Sequence, residues 1–327
     1  MNGTTIQQGR FTSTATEKTL VVRSDMDWIQ TYNLTAAGLQ KGVGRPIKLF
    51  WQRGMAADSA ITFKKQALVD TIEMTALTTG GFTLVDTSKS QLGALDSTVT
   101  AVSADAVPEV TLTSTLGIES GDIVRMYNIV GAKQLGGYDF TAAPSGATTF
   151  ELAYMAQIVA GTTGAMRVIK NEESFYPHHR FISKITQAES AVVTMTVTHK
   201  YTVGQKIRFA IPDDFGMTQL NGLVATITAV STDLLTNVNT ITVNVDTRSF
   251  TAFAFPLTAV SPFSPALVIP FGMGEGADYA NLLTDATRDT GFIGVRLGAS
   301  DTFQSAVGET GDVIYWTAGK SFSVSNT

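Results

Sequence analysis

Imidazole binds metals and moves protons near neutral pH, and the chain has three histidines. Tyr176-Pro-His-His-Arg180 holds two of the three histidines and follows Glu172-Glu173. Adjacent residues of an extended chain point to opposite faces, so His178 and His179 do not converge on one ion. The run reads as a linker, with Tyr176 and Pro177 packing on what lies to either side. His199 sits at a strand-to-turn position that suggests no catalysis. Phe271-Gly-Met-Gly-Glu-Gly276 follows an apolar strand, as a phosphate-binding loop would. Its glycine spacing is not that of a dinucleotide site, no βαβ pattern surrounds it, and no Gly-Lys-Ser/Thr is present. It reads as a connection into Ala277–Thr287, a short helix. Asp213-Asp214 has the residue types for calcium or acid–base work, while Glu275, Asp278, Asp285 and Asp289 are scattered. No Gly-x-Ser-x-Gly elbow or Ser/His/Asp order occurs. No catalytic, cofactor-binding or metal residue is assigned, and no enzyme is expected.

Two arginines and three tryptophans remain. Arg125 and Arg208 occupy the same place in a stretch that occurs twice. Gly121-Asp-Ile-Val-Arg-Met matches Gly204-Gln-Lys-Ile-Arg-Phe at a spacing of 83, and Gln134-Leu135-Gly-Gly137 matches Gln219-Leu220-Asn-Gly222 at 85. Upstream, Val110-Thr-Leu-Thr113 matches Val193-Thr-Met-Thr196. The first copy has Ile129-Val130 where the second has Asp213-Asp214, so the acids are not part of the repeated unit and read as a solvated loop. The glycine permits a tight turn, and the strand after it alternates. Val124 and Met126 then face a core while Arg125 faces out, and Ile207, Arg208 and Phe209 do likewise. Leu135 to Gly137 and Leu220 to Gly222 read as hairpin turns needing positive φ, plugged by the leucine. The outward arginines suit interface salt bridges. Trp28, Trp51 and Trp316 read as core or interface anchors, and a sugar-stacking platform is the alternative.

These residues need strands to position them. Thr, Ser, Gly, Ala and Val dominate, the chain is 44% hydrophobic and 16% charged, and short strands with tight turns follow. A net charge of −5 argues against a nucleic-acid surface. The absence of cysteine rules out disulfides and thiolate sites and suits synthesis in a reducing cytosol. The first residues lack a signal-peptide pattern, and no apolar run approaches the ~20 residues of a membrane span.

Along the chain, Lys18–Val22, Trp28–Leu34 and Ile47–Gln52 are strands, and Phe63–Thr79 is readable as a helix or as strands. Gly80-Gly81 and the polar run Asp86–Gln91 mark a boundary. The first repeat has strands at Val99–Val102, Glu109–Ser114, Asp122–Asn128 and Thr149–Tyr154. The second has Ile182–Thr186, Val192–Thr198, Lys206–Ile211, Leu223–Val230 and Asn239–Asp246. Gly291–Leu297, Gly311–Trp316 and Ser321–Val324 close the chain. Each terminal set is too small to fold alone. The expected fold is all-β: two tandem small β-barrel modules, 91–170 and 181–258, inserted in a discontinuous terminal β-sandwich made by 1–90 and 263–327.

The run Ile182-Ser-Lys-Ile-Thr-Gln-Ala … Val192-Val-Thr-Met-Thr-Val … Gly204-Gln-Lys-Ile-Arg-Phe … Gly216-Met-Thr-Gln-Leu-Asn-Gly222 … Thr240-Ile-Thr-Val243 resembles a small β-barrel module. That module is often described by its likeness to the first catalytic cysteine half-domain of ubiquitin-activating enzyme, and it recurs in tandem in structural proteins of tailed bacteriophages. The flanks Gly9–Thr12, Phe50–Met55 and Gly311–Val324 are similar to phage virion proteins, crAss-like phages included. The resemblance implies a non-enzymatic virion component, a capsid decoration or auxiliary protein or a neck or tail part. It would be made in the bacterial cytoplasm and assemble as a homo-oligomer with other virion proteins, without nucleic acid or membrane. Trp28, Trp51, Arg125, Arg208 and Trp316 are the candidate interface residues. A receptor- or glycan-binding head or tail fibre is the alternative.

Overall fold

β-Branched and aromatic runs fit a pleated surface, and the chain is all-β. The computed structural model describes residues 6–23, 26–38, 45–65, 71–86, 97–169, 180–231, 239–258, 263–271, 292–300 and 304–320. The N-terminal region forms β1 (Ile6–Thr12), β2 (Lys18–Val21), β3 (Trp28–Asn33), the short helix α1 (Leu34–Gly38), β4 (Pro46–Gln52), β5 (Ser59–Lys65) and β6 (Ile72–Asp86). The first repeat forms β7 (Ser97–Val102), β8 (Glu109–Leu112), β9 (Ile123–Tyr127), β10 (Asp139–Pro144), β11 (Thr149–Ala153) and β12 (Gly164–Ile169). The second forms β13 (Ile182–Ile185), β14 (Val192–Met195), β15 (Lys206–Ala210), β16 (Val224–Val230), β17 (Thr240–Val243) and β18 (Leu267–Pro270). Two strands follow, β19 (Phe292–Leu297) and β20 (Val313–Gly319). The histidine run 176–179, the glycine-rich loop with the acids and helix that follow it, and Ser321–Val324 lie outside the described residues.

The chain divides into two compact units, one of Met1–Thr87, Tyr201–Lys206 and Asp285–Thr327, the other of Ser88–Lys200 and Ile207–Thr284. In the first unit both chain ends share one sheet, in the order β1-β20-β3-β4-β5-β6-β19-β2. Its inner face buries Leu20, Ile29, Leu49, Trp51, Phe82, Leu297 and Trp316 in one core. β1 and β2 stand at opposite ends of this order, yet only the residues between Thr12 and Lys18 connect them, so the sheet curls around its core. Tyr201–Lys206 bonds both edges. Arg10 N–H donates to Val203 O at 2.8 Å, and Gln205 Nε2 donates to Val21 O at 2.9 Å. Between them, Trp316 Nε1 donates to Thr202 Oγ1 at 2.9 Å.

Of the ambiguous stretch Phe63–Thr79, residues 63–65 end β5 and residues 72–79 begin β6, so the described part is strand on both sides. Gly80-Gly81 is not a boundary, because β6 runs through it. The pair absorbs a register shift, with Ser59 opposite Phe82 while Ala60 opposes Leu77. A Cβ on Gly81 would strike the Ser59 carbonyl, and Gly80 takes φ +75°. These glycines bulge a strand that continues past them.

In the second unit, β10-β11-β8-β7-β12-β9 closes into a barrel. The second repeat runs β13-β14-β17-β16-β15-β18. Matched through the repeat, this is the first ring in the same order, opened between its last and first strands. A bridge between Phe181 and Leu267 spans that opening, with Ile182 N–H to Ala266 O at 2.8 Å and Val268 N–H to Arg180 O at 3.1 Å.

The duplicated stretch has duplicated geometry. Gly121 and Gly204 take φ of +94° and +85° in the opening turns. Val124, Met126, Ile207 and Phe209 are fully buried. A 3-10 turn carries the plugging leucine in each copy, Lys133–Leu135 and Thr218–Leu220, and that leucine is fully buried; the second copy has a further 3-10 turn, Asp213–Phe215, before it. Gly137 N–H donates to Met126 O at 2.7 Å, and Gly222 N–H to Phe209 O at 2.9 Å. Gly131 and Gly216, both at positive φ, leave room for the carbonyls of Ala160 and Ala252.

The opening turn occurs a third time. The Asp122 carboxylate accepts from Glu119 N–H at 2.8 Å, and the Gln205 amide oxygen accepts from Thr202 N–H at 3.3 Å. In the first unit, Asp312 accepts from Glu309 N–H at 2.9 Å, with Gly311 between them at φ +88°.

Candidate functional site

The five residues expected at interfaces fall into both units: the tryptophans in the first and the arginines in the second. Trp51 and Trp316 are only 2% and 1% exposed and belong to the core of the terminal sheet. A buried indole cannot stack on a sugar, so a sugar platform at Trp51 is ruled out by its place. Trp28 is half-buried on the opposite face of the sheet. Its ring lies over Gly319, where a Cβ would come within 2.6 Å of Trp28 Cζ2.

That opposite face can be read from the register, because residues directly across an antiparallel pair share a face. One row runs Arg10, Tyr315, Tyr32, Lys48, Phe63, Met74. The next runs Gln8, Thr317, Gln30, Phe50, Ile61, Ala76. Lys48 Nζ stands 5.3 Å from the Tyr32 ring centre and 5.4 Å from that of Phe63, which leaves its charge on an aromatic surface. Met74 and Tyr315 are 66% and 39% exposed. Trp28, Gln30, Phe50 and Gln52 line a shallow depression of about 280 Å³ on this face.

The outward reading of Arg125 needs correction. The side chain points away from its own barrel, yet it is 6% exposed. The reason is that this face of β9 is covered by the second repeat, where Ile123 packs on Val197. Arg125 Nε and Nη2 donate to the two oxygens of Asp139 at 2.6 and 2.8 Å. Burial opposes the guanidinium charge, but Asp139 and the Tyr127 hydroxyl outweigh it and hold the group above its ordinary value. Beside this pair, Thr141 N–H donates to Thr196 O at 2.9 Å and Thr196 Oγ1 donates to Asp139 O at 3.1 Å. Arg208 is half-buried, and the position matching Asp139 is Val224, so the two arginines are not equivalent.

The second unit also carries a groove of about 450 Å³, lined by Tyr127, Asn128, Ile129, Lys133, Gly136, Gly137, Tyr138 and Phe263. All but Phe263 belong to the duplicated stretch or adjoin it. Tyr138 packs on buried Phe181 with ring centres 5.3 Å apart, and Phe263 meets the same ring at 6.0 Å. Sequence reasoning missed this site. The signal was the difference between the copies, since Tyr127, Asn128, Lys133 and Tyr138 match Ala210, Ile211, Thr218 and Leu223.

Asp213 and Asp214 are exposed in a 3-10 turn, as a solvated loop requires. His199 is buried, and its carbonyl accepts from Arg180 Nε at 3.0 Å. Among the described residues no group of three or more His, Asp or Glu could hold a metal ion, and no helix is long and apolar enough to cross a membrane. Compared with protein families and with curated proteins, the chain has no match.

Proposed function

We propose that this chain is a non-enzymatic structural protein of a tailed-bacteriophage virion, a capsid decoration or auxiliary protein or a neck or tail component. It acts through contacts with its own copies and with other virion proteins. Its resemblance to virion proteins supplies the setting. The observation that carries the contact role is the outer face of the terminal sheet. The inner face of that sheet already holds a core, and the outer face still presents Tyr315, Tyr32, Phe50, Phe63, Ile61 and Met74 in adjacent rows. Fully burying such a side chain is worth about 1.5–3 kcal/mol, so a partner gains by covering the rows. Arg10 at the end of one row and Lys48 within it give register to that contact.

Native mass spectrometry of the purified chain and electron microscopy of particles test the proposal together. The expected result is an oligomer that Trp28→Ala and Phe50→Ala weaken without lowering the thermal midpoint, and density for the chain in particles. A monomer that is absent from particles overturns it.

A further inference from the structure

We propose that the groove of the first barrel is a saccharide-binding site. This goes beyond the assembly reading and does not depend on it, because it concerns the other unit and other residues. The first argument is internal to the chain. The two copies keep three positive-φ glycines, Gly121, Gly131 and Gly137 against Gly204, Gly216 and Gly222, the same buried leucine and the same bond across the hairpin. Where they differ, the first copy places two tyrosines, an asparagine and a lysine around one groove, and the second has Ala210, Ile211, Thr218 and Leu223 at those positions. The second copy forms its own hairpin without these four side chains.

The second argument is rigidity. Tyr138 and Phe263 both rest on Phe181, which is fully buried, and the Tyr127 hydroxyl is bonded to the Arg125 guanidinium. Aromatic walls fixed in this way lose little entropy when a ligand arrives. Asn128 sits at φ +50°, a setting in which asparagine is enriched among non-glycine residues. Gly136 leaves its part of the lining free of side chain, since a Cβ there would meet only Lys133 O at 3.7 Å.

The third argument is chemistry. A pyranose has apolar C–H faces and a rim of hydroxyls, which suits aromatic rings flanked by an amide, an ammonium and phenol hydroxyls. A purely apolar ligand would desolvate Asn128 and Lys133 without compensation. A polyphosphate would need more cations than the one lysine among the described residues of the lining. A volume of about 450 Å³ lies within the range of small-ligand sites. Lys133 favours sugars that carry a carboxylate.

The test uses the full chain on an array of bacterial surface oligosaccharides, with saturation-transfer NMR on methyl glucoside and methyl glucuronide as defined probes. Binding is expected, with magnetisation transferred to ring C–H protons and the glucuronide preferred. The pair Asn128→Gly with Lys133→Ala tests the rim while keeping the left-handed backbone and removing only exposed polar groups. Each lost hydrogen bond should weaken binding about fivefold. Tyr138→Phe keeps the stacking wall and should weaken binding by a similar factor or less. No saccharide signal in either format overturns the proposal. Binding that survives intact in the double variant overturns it too, as does binding abolished by Trp28→Ala alone. The oligomer seen by native mass spectrometry should not change in the groove variants, which separates this result from the assembly test.

Discussion

Asp139→Val would place in the first barrel the pairing that the second already has, arginine beside valine. The two settings differ in burial. Arg208 is half-buried, whereas Arg125 is 6% exposed with both Asp139 oxygens at 2.6 and 2.8 Å. Removing the carboxylate strands a guanidinium that keeps only part of its partners, and breaking a buried pair from one side costs about 3–5 kcal/mol. With a urea slope of about 2–3 kcal/mol per molar, the midpoint of the second unit should fall by about 1–2 M. The double change Arg125→Met with Asp139→Val removes both charges and should recover most of that loss. The three tryptophans all lie in the first unit, so indole fluorescence is the wrong probe. Hydrogen exchange of the Thr141 amide, bonded to Thr196 O beside the pair, reads the correct region. The folded guanidinium is held above its ordinary value, so its contribution is present below the unfolded value and lost only as pH rises beyond it. The gap between wild type and Asp139→Val should therefore stay constant from about pH 6 to 9. A loss under about 1 kcal/mol in the single variant, or a double variant no better than the single, would refute the reasoning.

Gly216→Ala and Gly222→Ala should separate two costs that glycine avoids. Both positions have positive φ, and Gly216, with ψ −169°, sits in a region that is essentially glycine's own, so its backbone cost for alanine exceeds the about 1–2 kcal/mol of a left-handed residue. Only at Gly216 does the new methyl strike a carbonyl, that of Ala252, while Gly222 has open space. Urea midpoints should place Gly216→Ala clearly below Gly222→Ala, and equal losses would remove the packing argument. At the surface, the Arg248 side chain and backbone bonds hold the Asp246 carboxyl below its ordinary value. Arg248→Gln should return the carboxyl titration, followed by carbon NMR, upward to the usual carboxylate range. A lowered carboxyl stabilises above its unfolded value and loses that effect as pH falls through the folded one. Here the pair is solvent-exposed, so the thermal midpoint at pH 5 should not move.

The fold class was legible because strand alternation and turn glycines act locally. The leucine-plugged turns needed nothing beyond their own residues. β10 is hard to read from its own residues, since Asp139-Phe-Thr-Ala-Ala-Pro144 has few β-branched residues, yet carrying the repeat back from Val224–Val230 places it. Alternation correctly put Arg125 on the outside of its barrel. It cannot say what covers that outside, and the covering residues, Thr196 and Val197, belong to the other repeat. Residue type alone leaves Trp51 and Trp316 between core and interface for the same reason. Only the register of the terminal sheet assigns Trp28 to one face and the other two to the opposite face. The groove was hidden twice. Its wall includes Phe263, far along the chain, and its diagnostic residues are those in which the copies disagree.

The three opening turns show how one scaffold carries different work. In each, a glycine at positive φ is followed by a residue whose oxygen accepts the backbone N–H three positions back. The turn demands the glycine and an acceptor of suitable reach, and little more. Asp122 is sufficient for that. Gln205 does the same with its amide oxygen and has a donor to spare, which it places on Val21 O at the edge of the terminal sheet. Aspartate at that position would keep the turn and have no N–H to give the edge. Asp312 instead accepts a second bond from Asn33 Nδ2 at 2.7 Å and pairs with Arg45, joining both chain ends of the first unit. The repeated glycine therefore marks geometry, and the residue after it marks what each copy was recruited to hold. The same division holds for the groove, where a shared hairpin carries side chains that only one copy has. The duplicated stretch is a common frame, and the functional information lies where its copies differ.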